Sequence, residues 1–234
     1  MVKAASVKKI LIGGLLFILS LVLGFFYGKR IYFSQISRAT RRSLADSANK
    51  EALQIYNGLP IDSSDVVFVG TSMTARFPLN ELYGTIRIKN RGIGSNCAYH
   101  IEGRIGNIVK AHPRKLFLEF GINDFLLGAG VDSVLHAYKR VITLIRHQSP
   151  RTNIYVQSIF PVSGIKENAP IEHMIEEFNP ILKGYCDSLQ VSYINLFPLF
   201  YKNNGLDDSL RVDGIHLNMK GYAIWKSRID SLVQ

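Results

Sequence analysis

Between residues 66 and 196 the chain alternates short apolar runs with longer stretches of helical periodicity, and this alternation restricts the fold more than any other feature. The first run, Val66-Val67-Phe68-Val69, is bounded by Asp65 and Gly70. Four consecutive apolar residues read as a strand buried on both faces, the kind found in a parallel sheet. Four more strands are expected at residues 86–90, 115–120, 153–159 and 191–196. A short helix is expected at 77–83, longer ones at 98–111, 131–148 and 170–189, and a last one after Leu217; Pro113 and Pro150 close two of them. Strands and helices in this order form right-handed βαβ units. The expected class is therefore α/β, with a five-stranded parallel sheet covered on both faces in a single domain over residues 61–234.

The formal charge of +10 suggests nucleic acid until it is located along the chain. Nine Lys or Arg (Lys3, Lys8, Lys9, Lys29, Arg30, Arg38, Arg41, Arg42, Lys50) precede residue 51 against one acid, Asp46, so the rest of the chain carries only +2. The basic excess flanks a charge-free run from Ile10 to Gly28, where it would meet anionic head groups. As a helix that run reaches roughly 28 Å, enough to span a bilayer, and it lacks the small-residue pattern of a cleaved signal peptide. We therefore expect a cytoplasmic tail (1–9), a transmembrane anchor (10–28) that partners membrane lipid, and a stalk helix or linker (29–60). Positive charges are more numerous after the span than before it, whereas the short tail favours an N-terminus inside and a domain outside, the orientation adopted here. Nucleic acid is not an expected partner. Two cysteines, Cys97 and Cys186, are too few for a disulfide framework and lack zinc-type spacing; pairing and simple burial both remain open.

Three turns and one loop carry the chemistry. The first strand ends in Gly70-Thr71-Ser72, placing a serine hydroxyl outside the carboxyl end of a sheet, where reactive groups of open α/β folds gather. Such a hydroxyl needs a base within hydrogen-bond reach, and His216 is the candidate. Asp213, three residues earlier in Asp213-Gly214-Ile215-His216, can fold back on the other ring nitrogen and fix its tautomer. Oxyanion donors are expected from the Ser72 N–H, from the backbone at Gly94 or Ser95 in the second glycine loop, and from the Asn123 amide. The Asn123-Asp124 pair also reads as a helix cap. Gly92-x-Gly94 is not a dinucleotide loop, because position 97 is cysteine and no P-loop lysine follows. His100, His112, His136, His147 and His173 are scattered without ligand spacing, so neither a metal nor a cofactor is expected.

The four blocks, in this order, resemble the SGNH hydrolase family of GDSL-type esterases and lipases. That family's Gly-Asp-Ser corresponds to Gly70-Thr71-Ser72, and its Asn-x-Gly-Ile-Gly-Gly-Asp to Asn90 through Asn96. Gly-x-Asn-Asp is intact at Gly121 to Asp124, as is Asp-x-x-His at Asp213 to His216. The resemblance implies a three-layer, flavodoxin-like α/β/α sandwich and a Ser72–His216–Asp213 triad without metal, acting on an acylated small molecule or glycan. Thr71 replaces the family's aspartate, and Ser95 stands where its oxyanion glycine falls; both departures suggest a small acyl group such as acetyl. An acyltransferase on an envelope glycan, or a non-catalytic binding module on the same fold, are the alternative readings. Oligomeric state is not legible.

Overall fold

The computed structural model describes residues 20, 23, 24, 28, 37–163 and 169–234. The chain divides into two units, Met1–Ser43 and Leu44–Gln234. In the first, every described residue is helical. Most of the anchor expected at 10–28 lies outside the described residues, and among those described no helix is long and apolar enough to cross a membrane.

The second unit holds one parallel sheet in the order β2-β1-β3-β4-β5, as the alternation implied. Its strands are β1 (Val66–Gly70), β2 (Ile88–Gly92), β3 (Lys115–Glu119), β4 (Asn153–Gln157) and β5 (Ser192–Ile194). Helix α1 comprises residues 37–56, of which 44–56 belong to this unit, and α2 (Ser72–Ala75) and α3 (Leu79–Tyr83) follow β1. Next come α4 (Ala98–Val109), α5 (Ile122–Leu126), α6 (Val131–Gln148), α7 (Ala169–Ser188), α8 (Phe197–Phe200) and α9 (Met219–Val233). Alternate strand residues feed two cores. Val67, Val69, Leu116, Leu118 and Val156 pack with the apolar stripes of α4, α6 and α7. Val66, Phe68 and Phe117 face the other way, against Phe77, Tyr222, Trp225 and Ile229. Three layers result, because each strand is apolar on both faces and must be covered twice.

The boundaries differ from the sequence reading where side chains of other elements intervene. The second strand, expected at 86–90, runs Ile88–Gly92 instead, and Ile86 is 78% exposed. Arg87 is drawn outward to Asp62 at 2.7 Å, and the end of the strand is set by a close approach. A Cβ on Gly92 would lie 2.2 Å from the backbone nitrogen of Ala75 in α2. The fourth strand stops at Gln157 because the Asn179 amide of α7 takes both the N–H and the C=O of Ile159, at 2.9 and 3.0 Å. The short helices α2, α5 and α8 were missed by periodicity, which needs more than one turn to be seen.

Residues 44–60, read from sequence as part of the linker, belong to the compact unit. Ala45 of α1 is buried, and the Tyr56 hydroxyl donates to the Gly92 carbonyl at 3.0 Å. His100 joins α1 to α4: its Nδ1 accepts from the Cys97 N–H at 3.0 Å, so Nε2 carries the proton toward Asp46 Oδ1 at 2.9 Å. Cys97 and Cys186 are both buried and form no disulfide with one another. Burial pushes the Cys186 thiol up to about 12.

The close approach at Gly92 is testable. Gly92→Ala must displace backbone of α2 and is expected to cost about 1–3 kcal/mol in urea unfolding, as overpacking does. Gly94→Ala, where an added Cβ meets nothing within 4 Å, should stay within about 0.5 kcal/mol of the native chain.

Candidate active site

Ser72 opens α2, two residues beyond the end of β1. The turn is held from two sides. The Asn90 amide donates to the Thr74 and Phe77 carbonyls at 2.7 and 3.1 Å while its oxygen accepts from Gly92 N–H at 2.9 Å. From α9, which packs in the same core, the Tyr222 hydroxyl donates to the Met73 carbonyl at 3.1 Å. The serine hydroxyl is thereby fixed at the sheet edge and left partly exposed.

The loop before α9 brings the histidine. Ser72 Oγ lies 2.9 Å from His216 Nε2, and His216 Nδ1 lies 2.7 Å from Asp213 Oδ2. Asp213 Oδ1 accepts the backbone N–H groups of Ile215 and His216, both at 2.8 Å. One carboxylate thus closes the turn with one oxygen and orients the imidazole with the other. Partial burial would raise the Asp213 carboxyl, but the hydrogen bonds from the His216 ring and from the two backbone N–H groups outweigh it and hold it at about 2. The aspartate is therefore ionised at neutral pH, Nδ1 carries the ring proton, and Nε2 is free to accept from the serine. The loop itself is braced by the Val212 N–H to the His216 carbonyl at 2.9 Å and by the Ser163 N–H to the Gly214 carbonyl at 2.8 Å.

The expected oxyanion donors sit on the neighbouring turns. Among the described residues, the N–H groups of Ser72, Gly94 and Ser95 have no backbone acceptor, which leaves them available to a substrate oxygen. Asn123, at the start of α5, donates one amide hydrogen to the Asn96 carbonyl at 2.9 Å, and the second remains. Its neighbour Asp124 does cap a helix, but a distant one: both carboxylate oxygens receive the Ala98 N–H of α4, at 3.1 and 3.0 Å. The Asn-Asp pair consequently clamps the 94–98 loop against the end of β3. Nucleophile, base, orienting acid and donors form the set required for acyl transfer. Among the described residues, no group of three or more His, Cys, Asp or Glu converges as a metal site would.

A family model confirms what this geometry suggests: the GDSL-like Lipase/Acylhydrolase family matches residues 70–224. The chain belongs to that family. Membership makes it an ester-bond hydrolase. Among solved structures, a GDSL-like lipase from Bacteroides thetaiotaomicron superposes with TM-score 0.70 at 19% identity, covering 80% of this chain and 97% of its own. A carbohydrate esterase family 3 protein from Talaromyces cellulolyticus has TM-score 0.58 at 20% identity, with 73% and 97% covered. An acetyl esterase mutant with acetate ion has TM-score 0.57 at 19% identity, with 73% and 97% covered. No curated protein matches the chain.

The two departures from the GDSL pattern have physical readings. Ser95 adopts φ 61°, in the left-handed region, which accounts for a glycine at this place in the family pattern. Its side chain is exposed and stands at the rim of the loop. Thr71 is fully buried and its hydroxyl reaches Glu119 Oε2, at 3.4 Å. Glu119, at the last position of β3, was not singled out by sequence reasoning; a carboxylate directly after the apolar run Leu116-Phe117-Leu118 is the signal that marks it. Burial raises it to about 7, against the opposing contacts of Thr71.

A carboxyl raised in the folded state stabilises most below its unfolded pKa, and the contribution is lost as pH rises through the folded value. Between pH 5 and pH 8 the native chain should lose on the order of 3 kcal/mol through Glu119. Glu119→Gln is expected to flatten that part of the decline in unfolding free energy, with a residual slope from Glu172, which burial also raises to about 7. Urea unfolding of both proteins across this range measures the difference.

Proposed function

We propose that this chain is a membrane-anchored serine esterase that removes small acyl groups, O-acetyl first among them, from a carbohydrate or similar polar substrate. The observation that carries the reading is the continuous line Ser72 Oγ to His216 Nε2 at 2.9 Å and His216 Nδ1 to Asp213 Oδ2 at 2.7 Å. Ser72 attacks the ester carbonyl as His216 accepts its proton. The tetrahedral oxyanion forms against the N–H groups of Ser72 and of Gly94 or Ser95 and the Asn123 amide. His216 then protonates the leaving alcohol, and water, activated by the same imidazole, releases the acyl group from Ser72. Asp213 stays ionised throughout and stabilises the imidazolium.

A small acyl group is supported by the side chain that Ser95 adds to the rim where a glycine would leave room. Among the structural neighbours, one is named a carbohydrate esterase and another an acetyl esterase, which agrees with this reading. The anchor rests on the charge-free run over residues 10–28 and its basic flanks, with the N-terminus inside and residues 61–234 outside the cytoplasm.

Two experiments test these assignments. A fluorophosphonate should label the native chain and fail on Ser72→Ala, and short-chain aryl acetate should be cleaved at least about tenfold faster in kcat/KM than the octanoate. A native chain that neither labels nor cleaves overturns the reading. Alkaline phosphatase fused at the C-terminus should be active in cells; an inactive fusion with an active cytoplasmic reporter reverses the orientation.

A further inference from the structure

Helix α4 presents an apolar stripe of Ile101, Ile105 and Ile108 to the sheet, and Arg104 lies on that stripe rather than opposite it. The side chain is 2% exposed. Its three hydrogen bonds go to neutral acceptors: Nε to Asn96 Oδ1 at 3.1 Å, Nη1 to the Arg91 carbonyl at 2.7 Å and Nη2 to the Gly70 carbonyl at 3.1 Å. Burial pushes its pKa down to about 10, a value at which the group is still charged at neutral pH, and nearby Arg91 adds to the depression. A buried cation without an acid among its acceptors costs several kcal/mol, whereas an apolar side chain would complete the stripe at no such cost. The stripe alone does not call for an arginine here.

The places of the three acceptors give the reason. Gly70 ends β1, two residues before Ser72. Arg91 is the last but one residue of β2, before the loop that offers the Gly94 and Ser95 N–H groups. Asn96 ends that loop, and its own carbonyl receives the Asn123 amide. Each oxyanion donor therefore lies within three residues of an Arg104 anchor, or touches one. The guanidinium is planar, so its three contacts fix angles as well as distances between these segments, two through backbone carbonyls and one through the Asn96 side chain, which a lysine or an apolar side chain would not do.

We propose that Arg104 is the positioning residue of the oxyanion site, holding the Ser72 turn and the 92–96 loop at the spacing the tetrahedral intermediate requires. The role rests on the esterase reading above. Because it acts on an arrangement that matters only when the oxyanion forms, it belongs to kcat and not to KM.

The test compares native chain, Arg104→Lys, Arg104→Met and Asn96→Ala by p-nitrophenyl acetate kinetics, fluorophosphonate labelling rate and thermal unfolding. Arg104→Lys keeps the charge but not the fork, and should lose about 10²-fold in kcat with KM within about threefold. Its labelling rate should fall in parallel, because phosphonylation uses the same donors. Asn96→Ala removes one anchor and leaves the guanidinium with the other two, and should lose about tenfold in kcat, with thermal unfolding showing that the variant is folded; it decides the matter if Arg104→Met does not fold. A folded Arg104→Lys and an Asn96→Ala that both keep native kcat, or losses that fall on KM alone, overturn the role of Arg104 while leaving the esterase intact. A native chain that neither cleaves nor labels overturns the esterase reading and Arg104's role with it.

Discussion

Three strands end level. The parallel register sets Gly70 of β1 beside Gly92 of β2 on one side and Glu119 of β3 on the other, so the turns that follow leave the sheet at one height. This alignment places Ser72, the 92–96 loop and Asn123 around a common point. In the order β2-β1-β3-β4-β5, β1 and β3 flank the position where the chain reverses its direction across the sheet. Crevices in open α/β sheets lie there, because the connections on either side diverge and leave the strand ends uncovered. The fourth functional segment arrives from the C-terminal loop, and α9, which follows it, is fastened to the nucleophile turn through the Tyr222 to Met73 bond.

Around this point the ionisable groups are treated in contrasting ways. Asp213 is half exposed, takes three hydrogen bonds and stays charged, which suits a group whose task is to orient an imidazole. Glu119 lies fully inside, beneath the nucleophile turn, where burial favours its neutral form. Arg104, also inside, answers to carbonyls and an amide rather than to an acid. Neither buried group is needed to fill space, and both sit against backbone that precedes or follows a catalytic element. The scaffold under the site carries these directed bonds, so its geometry is specified by them as well as by packing.

Much of the architecture was legible along the chain. Uninterrupted apolar runs such as Val66 to Val69 announce strands covered on both faces, and a stripe like Val134, Tyr138, Val141, Ile142 and Ile145 announces a covering helix. The site blocks were equally visible, because Gly-x-Asn-Asp and Asp-x-x-His keep their chemistry within a few residues. Less legible was anything set by a partner far along the chain. Ile86 and Arg87 alternate as a strand should, yet Arg87 is held by Asp62 and the ladder begins two residues later. Asp124 reads as a cap for its own helix and instead caps α4, a role set by the approach of two loops. Residues 44–60 read as a stalk because Leu44, Leu53 and Ile55 stand among charged and small polar residues, while burial of Ala45 and the bond from Tyr56 to Gly92 tie them to the domain.

What the sequence determined by itself was the set of elements and the reactive groups at their ends, since strand and helix periodicity and short motif spacing are local properties. What only the tertiary structure decided was which of those ends meet: that a hydroxyl at residue 72 lies 2.9 Å from a ring nitrogen at residue 216, and that a charge on an apolar stripe reaches two backbone carbonyls and a side-chain amide on three separate segments. Contacts of that kind depend on strand order and register, which are fixed by the packing of the whole sheet against both its helical layers.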